Sequence, residues 1–178
     1  MHPVARAFSR QHCIYKWLLV TGFIFRSKNP PFNFGFFGTH YGTYVKNHWR
    51  NDVVDWVVAG HSLGSTVAAL WVDSNRAPSD GITGLILLAA YPDALTNLVD
   101  IQIPVTSIWG SMDGLTTESD IEGSKNQLPT NTNYVRIEGG NHTQFYYSDT
   151  LQNNDNPAQI SREAQQLIIE REIAAILN

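Results

Sequence analysis

Cysteine is nearly absent from the sequence: Cys13 is the only one among 178 residues. An internal disulfide is therefore excluded, and a cytoplasmic location is slightly favoured because such a chain suits a reducing compartment. No set of cysteines and histidines has the spacing of a zinc site. No glycine-rich phosphate loop occurs either, so we predict neither a metal nor a cofactor.

Charge is also scarce. Asp, Glu, Lys and Arg make up 16% of the residues, against about a quarter in an average protein. The net charge is −4, and the basic residues form no cluster. Nucleic acid is an unsuitable partner for such a chain, because phosphate binding needs Lys and Arg gathered on one face.

Long hydrophobic runs are missing as well. The longest apolar run near the N-terminus, residues 17–25, is interrupted by Thr21 and Gly22, whereas a membrane span needs about 20 apolar residues. Arg6 and Arg10 form a weak basic start, but no small-residue cleavage site of a signal peptide follows them. We therefore predict no membrane span and interpret the run as the end of a helix followed by a buried strand.

Short apolar runs alternate with helical patterns along the chain, and its 43% of hydrophobic residues suffice for one core in a single domain, residues 1–178. The predicted strands are Gly22–Arg26, Asp55–Ala59, Gly84–Ala90, Val105–Trp109 and Tyr134–Glu138. The predicted helices are Ser62–Trp71, Glu118–Gln127 and Ser161–Leu177, the last with Ser161 as N-cap. Its predicted apolar face consists of Leu167, Ile168, Ile169, Ile173, Ile176 and Leu177. The alternation is typical of an α/β fold with a mostly parallel sheet of about five strands and helices on both faces.

The sharpest motif is Gly60-His61-Ser62-Leu63-Gly64, which has the form G-x-S-x-G and lies between a predicted strand and a predicted helix. A serine on such a tight turn projects clear of the sheet, and glycines two residues away on either side remove side chains that would clash. The turn also places Ser62 at a helix N-terminus, where free N–H groups favour negative charge. Ser62 is therefore the candidate nucleophile, and the backbone N–H of Leu63 a candidate oxyanion donor.

A serine nucleophile needs a base, and the base needs an orienting acid. In this kind of arrangement the order along the chain is serine, acid, histidine. His142 is the only histidine after His61, and it follows a predicted strand and the turn at residues 139–140. Asp113 lies in the loop after the preceding strand and is the candidate acid, with Asp93 as the alternative.

In these motifs the sequence resembles the α/β-hydrolase superfamily, and most closely its small, lidless bacterial branch known as α/β-hydrolase fold 5. The resemblance runs from about Gly22 to the C-terminus and rests on residues 31–37, 60–64, 85–92, 103–113 and 137–145. It implies a triad of Ser62, Asp113 and His142, the residues that motif and order also indicate.

The N-terminus departs from this family pattern. Members have several strands before the one matched by Gly22–Arg26, and the strand just upstream lies mid-sheet beside the nucleophile strand; the loop after it supplies the second oxyanion N–H. About 20 residues precede Gly22 here, and they look helical. We therefore expect an N-terminally shortened core. Either Gly22–Arg26 moves beside Asp55–Ala59, or a homo-oligomer covers the gap. The Phe32-Asn33 loop and residues 1–4 are candidate substitutes for the missing donor.

Only residues 91–104 separate two of the predicted strands at the point where many superfamily members carry a cap. We therefore expect no cap domain and an open site. The candidate pocket residues lie near the motif and the strand ends: Phe32, Asn33, Phe34, His61, Tyr91 and Phe145. The phenylalanines among them suit a buried core beneath a loop equally well.

The preferred function is a carboxylesterase-like serine hydrolase that cleaves small-molecule esters of small or accessible acyl groups through an acyl-enzyme. Two alternatives stay open. One is a degenerate, non-catalytic hydrolase-fold module that binds or assembles, for which the missing strand is the motive. The other is an acyltransferase, in which an alcohol or thiol takes the place of water.

Overall fold

A parallel sheet is the centre of the computed structural model, which describes residues 16–20, 55–76 and 81–177. Its strands are β1 (Lys16–Val20), β2 (Asp55–His61), β3 (Ile82–Leu88), β4 (Val105–Gly110) and β5 (Asn133–Ile137). They lie in the sheet in the same order as in the chain, and every neighbouring pair is parallel. The predicted α/β fold with a parallel sheet of about five strands is confirmed.

Three α-helices follow these strands in the described ranges: α1 (Leu63–Ser74), α2 (Glu118–Ser124) and α3 (Arg162–Leu177). Short 3₁₀ helices occupy Lys125–Gln127 and Thr143–Phe145. The connection between β3 and β4, residues 89–104, contains turns but no helix or strand. As expected, that connection carries no cap domain.

The two faces of the sheet bury different side chains because successive residues of a strand point in opposite directions. Trp56 and Val58 of β2 pack with α1 on one face, and Val57 and Ala59 pack with α3 on the other. The central strands are thus apolar on both faces, as parallel strands covered by helices require. This arrangement leaves the carboxyl ends of β2, β4 and β5 at one edge of the sheet, where their loops meet.

The prediction for the N-terminal segment was wrong in one respect. Lys16–Val20 forms a parallel strand beside β2, pairing Lys16 with Asp55 and Val20 with Ala59, rather than the end of a helix. A run of four apolar residues fits either element, and pairing with the open edge of β2 satisfies its backbone hydrogen bonds. The place beside β2, the strand that precedes Ser62, is therefore filled. The predicted strand Gly22–Arg26 lies outside the described residues.

The structure corrects two further details. β3 ends at Leu88 rather than Ala90, because Ala89 has a φ of 50° and leaves the extended conformation. Leu167 of α3 is 67% exposed and does not belong to the apolar face. It lies two residues, or about 200° around the helix, from both buried residues, Gln165 and Ile169.

Candidate active site

Ser62 occupies a strained turn between β2 and α1. Its φ is 54° and its ψ is −130°, a backbone conformation that L-residues rarely adopt. A β-carbon at Gly60 would overlap the backbone of Gly64, so the glycine of the motif is needed for the close approach of strand and helix. Strain of this kind persists only where the surrounding structure holds it in place.

The hydrogen bonds around Ser65 supply that support. The Ser62 N–H donates to the carbonyl of Leu88 at 2.9 Å, which joins the turn to β3. The fully buried Ser65 hydroxyl accepts from the Leu88 N–H at 2.8 Å and donates to the carbonyl of Gly60. Sequence reasoning missed Ser65. Nothing in the sequence distinguishes its hydroxyl from that of Thr66, the next residue in the first turn of α1.

The hydroxyl of Ser62 is not used to cap α1, although serine is a favoured capping residue. The helix begins at Leu63, whose backbone N–H lies in the first turn, where helices leave N–H groups without an intrahelical partner. The Leu63 side chain is 59% exposed. The Leu63 N–H is thus a donor at the N-terminus of α1, beside Ser62.

Asp113 and His142, in the loops that follow β4 and β5, are in direct contact with each other. The Nδ1 atom of His142 lies 3.0 and 3.1 Å from the two carboxylate oxygens of Asp113, and both side chains are buried. A carboxylate only accepts, so Nδ1 carries the proton and Nε2 of the neutral ring is an acceptor. Within the described part of the chain, Nε2 is buried and has no hydrogen-bond partner.

Backbone contacts hold the two loops together. The Asp113 Oδ1 atom accepts the N–H groups of Leu115 and Thr116 at 2.9 and 2.7 Å, which fixes the carboxylate in its own turn. The Met112 N–H donates to the carbonyl of Gly140 at 2.8 Å. A β-carbon at Gly110 would overlap that same Gly140 backbone, so the acid loop and the histidine loop touch main chain to main chain.

His61 connects the serine turn to His142. Its ring centroid lies 4.7 Å from that of His142, 5.7 Å from that of Phe145 and 5.4 Å from that of Tyr146. Burial, and to a lesser extent the charge of a protonated His142, lower the pKa of His61 to about 3, against weaker opposing effects of the His142 backbone and Asp155. His61 is therefore a neutral, packed ring at ordinary pH.

The other predicted site residues have different places. Tyr91 is 37% exposed, and its carbonyl accepts the Thr66 hydroxyl of α1 at 3.0 Å. The alternative acid, Asp93, binds the N–H groups of Leu95 and Thr96 in its own turn. Phe32, Asn33 and Phe34 lie outside the described residues, as do the substitute donors at residues 1–4.

Two buried polar residues that sequence reasoning missed also contact the histidine loop. Gln165 of α3 accepts the Asn141 N–H at 3.0 Å and donates to the Asn141 carbonyl at 2.9 Å. Asp155, in the loop before α3, accepts the N–H groups of His142 and Thr143. Neither residue has a motif. Only the fold, which brings residues 141–143 beside the segment 155–165, reveals what they bind.

Solved structures resemble the chain in fold. A putative alpha/beta hydrolase from Agrobacterium tumefaciens is 18% identical with a TM-score of 0.56, over 86% of this chain and 68% of that one. An alpha-beta serine hydrolase homologue from Coxiella burnetii is 21% identical with a TM-score of 0.50, over 67% and 56%. A thermophilic esterase from Thermogutta terrifontis is 13% identical with a TM-score of 0.56, over 79% and 72%. The chain thus spans little more than half of the Coxiella protein.

No curated protein matches the chain. Residues 12–167, by contrast, match the model of the alpha/beta hydrolase family, and this match includes β1 and so begins before Gly22. The family match agrees with two features of the structure, the parallel sheet and the strained serine turn between β2 and α1. The chain belongs to the alpha/beta hydrolase family, in its fold-5 branch.

Proposed function

We propose that the chain is a serine hydrolase that cleaves carboxylic esters of small or accessible acyl groups through an acyl-enzyme. The observation that carries the proposal is the buried His142 ring, with Nδ1 on the Asp113 carboxylate and Nε2 without a hydrogen-bond partner among the described residues. The ring of His61, the residue before Ser62 in the chain, packs against this ring with centroids 4.7 Å apart. An imidazole held in one tautomer with an unpaired acceptor nitrogen suits a general base for a serine hydroxyl.

The reaction assigns one task to each group. Ser62 Oγ attacks the ester carbonyl while His142 Nε2 takes its proton, and the same proton passes to the leaving alkoxide as the C–O bond breaks. Asp113 keeps the proton on Nδ1 and stabilises the imidazolium. The Leu63 N–H binds the oxyanion at the start of α1. Water, activated by His142, then releases the acid and restores Ser62.

The second oxyanion donor belongs in the segment that follows β1. In the family this N–H comes from the loop after the strand beside the nucleophile strand, and β1 is the strand that pairs with β2. The residues that follow β1, 21–54, lie outside the described residues. We prefer the residues directly after Val20 to the Phe32-Asn33 loop and residues 1–4, because the sheet position of β1 removes the need for a substitute.

The described residues around Ser62 support the proposed substrate class. Leu63 and Tyr91 are exposed, and the β3–β4 connection contributes no cap over them. A site that the described residues leave uncovered accepts acyl groups that need no enclosed tunnel. Among the structures of similar fold, the Thermogutta terrifontis protein is an esterase, and its structure holds malate. Ester cleavage is therefore the activity we assign to the chain.

The test is hydrolysis of p-nitrophenyl acetate and butyrate by the purified chain, beside Ser62→Ala and Ser74→Ala. Ser74 lies at the far end of α1, where its hydroxyl donates to the Leu70 carbonyl at 2.9 Å, so it is a matched serine control. We expect turnover by the wild type and Ser74→Ala and background rates for Ser62→Ala. Mass spectrometry should find the acyl group on Ser62. Equal rates for the folded wild type and Ser62→Ala would contradict the proposal, and ester formation with an added alcohol would indicate acyl transfer.

A further inference from the structure

Asp155 is a buried carboxylate with a full set of donors. It is 8% exposed and lies between the 3₁₀ helix Thr143–Phe145 and α3. Its Oδ1 atom accepts the N–H groups of Gly114 at 3.0 Å and His142 at 3.3 Å. Its Oδ2 atom accepts the N–H of Thr143 at 2.8 Å and the hydroxyl of Thr143 at 2.6 Å.

These donors come from the two loops that carry the acid and the base. Gly114 directly follows Asp113, and the donors from the other loop are His142 itself and the residue after it. Oδ1 also accepts the N–H of Asn156, the next residue along the chain, at 2.9 Å. The fit at Gly114 is tight, because a β-carbon there would overlap the carbonyl of Asn154. A single carboxylate thus joins the main chain beside Asp113 to the main chain at His142, next to the hydrogen bond between their side chains.

We infer that Asp155 is a positioning residue that sets the separation of Asp113 and His142 by binding both of their loops. The inference rests on the proposed function, in which this separation keeps the His142 proton on Nδ1. Asp155 touches neither ring nor substrate in this scheme, and it acts through the backbone N–H groups that it holds.

The task requires a carboxylate rather than any polar side chain. In each of these hydrogen bonds the partner of Asp155 is the donor. An ionised carboxylate suits this place because its two oxygens only accept hydrogen bonds. Burial raises the pKa of Asp155, but the hydrogen bonds from the Thr143 hydroxyl and from the N–H groups of Gly114, Thr143 and His142 outweigh it, so the pKa lies below its usual value. An asparagine of the same shape would turn its NH₂ group toward at least one of these donors.

The experiment compares Asp155→Asn with the matched control Asp120→Asn. Asp120 accepts the N–H and the hydroxyl of Thr117 at 2.8 and 2.6 Å, which is the chemistry of Asp155 with Thr143, but it caps α2. The readouts are kcat and KM for p-nitrophenyl butyrate and the low-field NMR signal of the His142 Nδ1 proton. We expect Asp155→Asn to lower kcat by ~10- to 100-fold with little change in KM, as a small misplacement of a base does, and to weaken the NMR signal. Asp120→Asn should keep both.

A second pair of variants tests the positioning role of Asp155 if Asp155→Asn does not fold. Thr143→Ser keeps the hydroxyl that Asp155 Oδ2 accepts, and Thr143→Val removes it while the backbone donors stay. We expect Thr143→Ser to retain the wild-type kcat and NMR signal and Thr143→Val to lose part of both. If folded Asp155→Asn or Thr143→Val keeps the wild-type kcat and signal, the inference is overturned. If the wild type hydrolyses no ester, the proposed function fails, while the NMR comparison still decides the role of Asp155.

Discussion

The ring of His61 lies against the ring of His142, with centroids 4.7 Å apart and planes inclined by 49°. Phe145 stacks on His61 with an angle of 12° between the planes. His61, the residue before Ser62, therefore forms part of the packing that surrounds His142. Because this place is buried, the pKa of His61 falls to about 3. The folded chain holds His61 neutral where the unfolded chain would protonate it.

The first prediction concerns stability in acid. The unfolded chain binds a proton at His61 below about pH 6.5, and the folded chain does not until about pH 3. The unfolded state thus binds more protons in this window, so the free energy of unfolding should fall as the pH falls, by up to ~1.4 kcal/mol per pH unit. His61→Phe keeps a ring in the stack and removes the titration. Urea unfolding between pH 7 and pH 4.5 should show a shallower slope for this variant, and an unchanged slope would count against the assignment.

The second prediction concerns the serine turn. Gly60→Ala places a β-carbon into the backbone of Gly64, so we expect a loss of ~1–3 kcal/mol or more in the free energy of unfolding. Gly123, in α2, has nothing within 4 Å of an added β-carbon, and Gly123→Ala should stabilise the chain by ~0.5–1 kcal/mol through helix propensity. Thermal unfolding of both variants measures the contrast. Equal effects of the two substitutions would mean that the turn is not closely packed.

The third prediction concerns the acid. Asp113→Asn keeps an oxygen for the N–H groups of Leu115 and Thr116, so the fold should survive. It also turns an amide NH₂ toward Nδ1 and favours the wrong tautomer of His142. We expect kcat for p-nitrophenyl butyrate to fall by ~10²- to 10⁴-fold with KM nearly unchanged. The exposed Asp100→Asn is the control and should behave as the wild type. A fully active Asp113→Asn would remove Asp113 from the mechanism.

Sequence reasoning succeeded where short-range geometry dictates the residue type. Gly60 and Ser62 could be predicted from the sequence because a strand-to-helix turn needs glycine where the backbones come close. The same turn strains the backbone of the residue two positions later. The order of Asp113 and His142 along the chain likewise indicated two loops at one edge of the sheet, and the structure joins their side chains by a hydrogen bond. Their catalytic roles stay predictions until activity is measured.

The failures share a different cause, which is dependence on distant partners. The run Trp17–Val20 becomes a strand because β2, more than thirty residues later, offers an edge. Asp155 looks like one more polar residue in a loop until the fold brings Gly114, 41 residues away, within hydrogen-bond distance. Local sequence patterns do not indicate contacts between residues so far apart. The strand at residues 17–20 and the hydrogen bonds of Asp155 could therefore not be predicted from the sequence alone.

The last prediction concerns Gln165, which lies in α3 and is fully buried. Gln165→Met keeps the volume of the side chain but leaves the N–H and carbonyl of Asn141 without the partners they now have. Each unsatisfied buried group costs ~1–3 kcal/mol, so the free energy of unfolding should fall by a few kcal/mol. Gln166→Met, the control on the next residue, loses one half-buried bond to the Gln144 carbonyl and should cost less. Asn141 directly precedes His142, so the substitution could also displace His142. Both urea unfolding and kcat should therefore be measured for each variant. A loss of stability at unchanged kcat would show that Gln165 anchors α3 without placing the base, and it would leave that task to Asp155.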